Sequence, residues 1–62
     1  MTYDTLHTLS HRGLTRGTGI VHRYGRTYTY LEYDPMSGTH YGRDHSSEWI
    51  ALTDTPDWRI AE

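Results

Sequence analysis

Alternation with a period of two dominates the middle of the chain. Residues 19–24 (GIVHRY) and 27–33 (TYTYLEY) are dense in β-branched and aromatic side chains, the types that fit a pleated, half-buried sheet. Gly25 and Arg26 lie between the two runs. Gly at the first central position suits a two-residue type II′ hairpin turn. That turn pairs Tyr24 with Thr27, His22 with Thr29 and Ile20 with Leu31. The next break is Asp34-Pro35-Met36-Ser37-Gly38. Asp opens a turn, Pro presets its φ, and Gly closes it in the left-handed region. A third strand at 39–43 (THYGR) then pairs back, with Tyr33 opposite Thr39 and Leu31 opposite Tyr41.

Side chains alternate across a strand, so this register assigns the faces. One face carries Ile20, His22, Tyr24, Leu31, Tyr33 and Tyr41. It is the more apolar and is expected to meet the core. The other carries Val21, Arg23, Tyr28, Tyr30, Glu32 and His40, and is expected to face solvent.

The flanks carry weaker patterns. Within residues 1–17, Leu6 and Leu9 share one helical face, with Asp4 as a candidate cap and Gly13 as a candidate stop. Thr2, Thr5, Thr8 and Ser10 are poor helix formers, so an edge strand and a frayed end are the alternatives to a short helix plus loop. Gly13, Gly17 and Gly19 mark a connector. Residues 44–47 (DHSS) are a polar link. Residues 48–53 (EWIALT) favour a fourth strand over a short helix capped by Ser47. Residues 54–62 are expected to form a C-terminal turn, since Thr55-Pro56 resembles a helix start with little chain behind it. The expected fold is one small domain over 1–62, mainly β, with a small α+β fold as the alternative. Its centre is a three- to four-stranded antiparallel meander over 19–53 with short terminal elements. The expected core is Leu6, Leu9, Leu14, Ile20, Leu31, Tyr33, Tyr41, Trp49, Ile50, Leu52, Trp58 and Ile60.

Composition narrows the classes of function. A chain of 62 residues buries only about 60 % of the surface its unfolded form exposes. A homodimer is therefore expected from area alone. Cysteine is absent, which excludes disulfides, thiolate zinc sites and thiol nucleophiles. A mean hydropathy of −0.84 argues against a membrane span or a signal-peptide core. A cytoplasmic setting is the expectation, the host cytoplasm if the gene is phage-borne. All six cations are Arg, and Lys, Asn, Gln and Phe are missing, a bias that fits a GC-rich bacterium or its phage. The formal charge is −2. Residues 1–30 carry four Arg against Asp4, and residues 31–62 carry two Arg against seven acids.

No catalytic motif stands in a supporting context. Asp44, His45 and Ser46 are adjacent in sequence, which is not triad geometry. His22, Arg23, Tyr24, Arg26 and Glu32 hold the residue types of an RNA-cleaving site, but a chain this small leaves little room for a pocket that shifts pKa values. The glycines at 13, 17 and 19 lack the Lys of a phosphate loop. Five histidines raise a metal question, and His7, His11, His40 and His45 form a candidate nitrogen ligand set. Ordinary surface and hydrogen-bonding histidines are the better reading, and no cofactor is expected.

Two binding functions remain. Arg, Tyr and Trp dominate interface energies, so the leading expectation is a small non-catalytic protein-binding module. A phage-type or accessory protein that modulates a host partner fits it. An acidic surface of Asp44, Glu48, Asp54 and Asp57 would serve such a protein. The alternative is a sheet that stacks single-stranded nucleic acid on Tyr and holds phosphate with Arg. Candidate interaction residues are Arg23, Arg26, Tyr28, Tyr30, Glu32, Asp44, Glu48 and Trp49.

Overall fold

The computed structural model describes residues 2–61. The chain runs α1 (Leu6–His11), β1 (Gly19–His22), β2 (Thr27–Asp34), β3 (Thr39–Arg43), β4 (Ile50–Leu52) and β5 (Trp58–Ile60). The strands form one antiparallel sheet in the order β4-β3-β2-β1-β5. The mainly β meander is thus present, with a fifth strand where a terminal turn is expected. The three residues of β5 are too few for their alternation to stand out in the sequence. Trp58 is held as strand by β1, whose His22 lies opposite it.

The helix is short and tied at both ends. Thr5, not Asp4, is the N-cap, and its hydroxyl accepts from the Thr8 N–H at 3.1 Å. At the other end the Leu14 N–H reaches back to Leu9 O at 3.2 Å, and the Gly13 N–H to Ser10 O at 3.3 Å. This is a Schellman closure, and its flanking Leu9 and Leu14 are both buried in the core. Asp4 has another role: it pairs with Trp58 through both backbone hydrogen bonds, at 2.7 and 3.0 Å.

The β1–β2 hairpin differs from the expected register. Gly25 takes the third position of a three-residue loop rather than the first of two. Its φ is +97°, its N–H bonds His22 O, and the His22 N–H bonds Arg26 O. This is a type I turn followed by a left-handed glycine. Ile20 therefore lies opposite Tyr28, and Val21 opposite Thr27. The slip is odd in residues, so it turns β2 over. Tyr28 and Tyr30 face the core with Ile20, and Tyr24 is left on the turn.

A second correction lies in β2–β3. Asp34 pairs with Thr39, so this loop is one residue shorter than expected. Asp34 organises it by accepting from the Met36 N–H and the Ser37 hydroxyl, each at 3.0 Å. A bulge at Leu31, between Tyr30 and Glu32, then restores the expected register at Tyr30 opposite Gly42. A bulge puts two residues opposite one, which sends Tyr30 and Tyr33 both toward His40. Ring centroids lie 5.9 and 4.5 Å from that imidazole.

The core consists of Leu6, Leu9, Leu14, Ile20, Tyr30, Leu52 and Trp58, with Tyr28, Ile50 and Ile60 packed at its margin. Four expected members are placed differently. Leu31 is buried but outside this cluster, Tyr41 is only half-buried, and Tyr33 and Trp49 are 44 % and 48 % exposed. Trp49 precedes β4 and stands beyond its reach.

Candidate functional site

A groove lies between the β1–β2 hairpin and β4. One wall is the β1–β2 hairpin, with His22, Tyr24, Arg26 and Tyr28. The other is Ile50 to Thr53 along and after β4, and Trp58 lies between them. The groove holds about 420 Å³ and opens to solvent. Its walls come from strands far apart in the sheet order, so sheet curvature brings them together.

Aromatic contacts fix its floor. Trp58 meets His22 edge-on at 4.8 Å and Tyr28 at 5.5 Å. Its indole N–H donates to Thr53 O at 2.8 Å, which ties the chain after β4 to β5. His22 Nδ1 accepts from the Tyr24 N–H at 3.3 Å, so the neutral ring carries its proton on Nε2, toward Asp57 at 3.9 Å. Asp57 also takes Arg23 Nε at 3.1 Å and the Thr55 hydroxyl at 2.6 Å. Arg23 in turn covers the ring of Tyr3. Arg26 is different: it is exposed at the groove rim and makes no ion pair among the described residues.

Asp44 and His45 continue this rim past Arg26 and Tyr28. The Ser46 N–H donates to Asp44 at 2.9 Å and holds its carboxyl below the usual range. Glu48 lies in the same exposed link, with its N–H on the Ser46 hydroxyl. The expected acidic surface is only half there. Asp57 serves Arg23 and Thr55, and Asp54 accepts from the His7 N–H at 3.2 Å.

A second aromatic patch lies elsewhere. The Arg16 guanidinium covers Trp49 at 5.3 Å, Glu32 sits 3.7 Å from Arg16, and Trp49 is 6.0 Å from Tyr41. Glu32 and Trp49 thus belong to a different surface from Arg26 and Tyr28. Tyr30 belongs to neither, being buried. Arg23 is committed to Asp57. The expected single Arg–Tyr face is therefore split, for the register reason given above. Tyr24 and Trp58 replace its missing members. Gly25 is the sequence signal for Tyr24, once it is placed third in the loop; Trp58 has no local signal.

The four-histidine set is also divided. His40 is 2 % exposed and bonds Tyr30 Oη through Nδ1 at 2.8 Å, with Asp54 at 3.9 Å from Nε2. His45 is on the β3–β4 link. Only His7 and His11 are together, their Nε2 atoms 3.2 Å apart. Among the described residues no group of three or more His, Asp or Glu side chains converges on one point.

Tyr30 and His40 form a buried polar pair rather than an accessible catalytic one, and the exposed Asp54 stands at its outer end. Burial pushes the His40 imidazole below its ordinary value; Asp54 opposes this and His7 adds to it. Burial likewise raises the Tyr30 phenol. An unfolded His titrates near ~6.5. Between that value and the lower folded one, the unfolded chain binds more protons than the folded chain, so stability rises with pH and drops on acidification. The contribution is complete above pH ~6.5 and is lost as pH drops through the folded value. Thermal unfolding followed from about pH 8 to pH 5 should show a falling Tm, and His40→Gln should flatten that slope. An equal slope in the variant would assign the effect to another group.

No protein-family model, curated protein or solved structure matches this chain.

Proposed function

We propose that the chain is a small, non-catalytic protein-binding module, and that its partner lays an extended segment in the groove between the β1–β2 hairpin and β4. The observation that carries this reading is the groove itself: aromatic and aliphatic lining from Tyr28, Ile50, Leu52 and Trp58, with Arg26, which makes no ion pair among the described residues, at its rim. Apolar walls with few polar groups are the usual chemistry of a binding cleft. Such a floor favours an apolar side chain, and Arg26 favours an acidic residue beside it. Tyr24, 81 % exposed, is the rigid aromatic anchor at the end of the groove.

The test is selection from a random peptide library on the immobilised chain. Enriched peptides should pair an apolar residue with an acidic one. Their affinity should fall about tenfold or more in Tyr24→Ala, as for an aromatic anchor, and by a smaller factor in Arg26→Ala, a rim charge. Both side chains are exposed, so these variants keep the fold. Peptides that bind both variants as well as the wild type would sink the groove as the site. A mixed-sequence single strand is the parallel probe. Binding to it that falls steeply with salt would favour the nucleic-acid alternative, which retains Arg26 and Tyr28 but lacks Tyr30 and a free Arg23.

Self-association is the second part of the reading, and the outer edge of β4 favours it. In the sheet order this strand has a neighbour on one side only, and an unpaired edge is a template for another strand. Native mass spectrometry of untagged protein at micromolar concentration should show a dimer. A monomer throughout that range would remove this part and leave the groove untouched.

A further inference from the structure

We infer that His7 and His11 form a two-histidine chelate for a divalent late transition-metal ion, a site separate from the groove. They stand four residues apart in α1, and their rings meet edge-on with centroids 4.7 Å apart. The two Nε2 atoms face one another at 3.2 Å. Two imidazole nitrogens on a tetrahedral zinc ion, each at about 2.0–2.1 Å, would lie about 3.3 Å apart. At a square-planar copper ion with similar bond lengths the spacing would be about 2.9 Å. The observed spacing falls between the two. Such a contact needs one ring nitrogen to carry a proton and the other a lone pair. When the donor ring carries its proton on Nδ1 instead, both Nε2 lone pairs are free, and a metal ion accepts them in place of the hydrogen bond.

The frame behind the pair is fixed. Leu6 and Leu9 anchor the helix in the core, Thr5 caps it, and the Schellman closure ends it. Asp54 binds the backbone N–H of His7 itself, placing a carboxylate at that turn. The neighbouring cation, Arg12, is held by Asp4 at 2.7 Å, which reduces its repulsion of a bound ion. Both imidazoles are exposed, so an ion has direct access. The pair fills two coordination positions and leaves the others to water or to a donor from another molecule.

The test is calorimetric titration of the untagged chain with copper, nickel and zinc chlorides near neutral pH. Copper should bind tightest, with one ion per chain. His7→Ala and His11→Ala should each lower copper affinity by about 10-fold or more, since losing a ligand costs at least as much as losing an outer partner of one. His45→Ala should leave it unchanged. All three residues are exposed, so circular dichroism should show the same fold in each variant. Paramagnetic copper should also broaden the ring signals of His7 and His11 before those of His22, His40 and His45. Equal affinity in wild type and the His7 and His11 variants, no measurable copper binding, or broadening centred on another histidine would overturn the assignment.

Discussion

Trp58→Ala should leave the chain largely unfolded at room temperature. Trp58 is buried at the junction of three parts of the chain. Its backbone pairs with Asp4, its strand pairs with β1, and its indole N–H holds Thr53. Truncating a buried Trp costs about 3–5 kcal/mol. A chain of this size has roughly 3–5 kcal/mol of net stability to lose. The loss therefore matches the whole. Trp58→Phe keeps most of the ring and drops only the hydrogen bond, so it should remain folded with a cost of about 1–2 kcal/mol. Urea unfolding by circular dichroism distinguishes the three proteins, and Trp49 remains as a fluorescent reporter. A cooperative Trp58→Ala transition with a midpoint near wild type would show that β5 is dispensable.

Gly42→Val should be the second severe change, for the opposite reason. Gly42 faces Tyr30 across the ladder, and there is no room above it. A Cβ there would come within 2.8 Å of Leu52 Cδ1 and 3.0 Å of the Thr29 carbonyl oxygen. The Leu52 methyl can rotate away; the backbone oxygen moves only with the sheet. Overpacking of this kind costs about 1–3 kcal/mol, and Val should lie at the upper end. Gly42→Ala is the milder probe. Combined with Leu52→Val, its cost should be less than additive, with a coupling of about 0.5–3 kcal/mol. Thermal unfolding of the four-protein cycle measures this. Strict additivity would mean that Gly42 is needed for another reason.

Both residues show what the sequence could and could not reveal. Strands β2 and β3 were legible because Thr27–Tyr33 and Thr39–Arg43 alternate residue types that favour a sheet, and Asp34 to Gly38 is strong turn chemistry. Which side each strand shows was not legible. That choice hangs on the position of Gly25 in its loop, and an odd slip reverses every side chain of β2. The bulge at Leu31 reverses the pattern once more within the same strand. Tyr28 and Tyr30 consequently take the core face, and the bulge leaves Tyr33 on the same side as Tyr30, against His40.

The short strand at Trp58 was hidden for a different cause. Thr55-Pro56 resembles a helix start, and the competing outcome depends on β1, far away in sequence. Arg26 and Tyr28 were visible as binding candidates from their residue types alone. Their companions Tyr24 and Trp58 were not, since the groove exists only after the sheet curves. Of the four candidate ligands, His7 and His11 stand four residues apart, and the helix makes them neighbours. His40 and His45 follow from no such spacing.

The pairing of Asp4 with Trp58 has a kinetic consequence. Hairpins β1–β2 and β2–β3 can form from neighbours as soon as their residues are available. The outer edge of β1 stays open until Trp58–Ile60 returns to it, and α1 has no firm seat before then. Closing almost the entire described chain into a loop costs configurational entropy before its contacts repay it. The molecule is thus expected to assemble from the middle outwards. An incomplete meander, with β1 and β4 both bare, is the species most exposed to pairing with another copy.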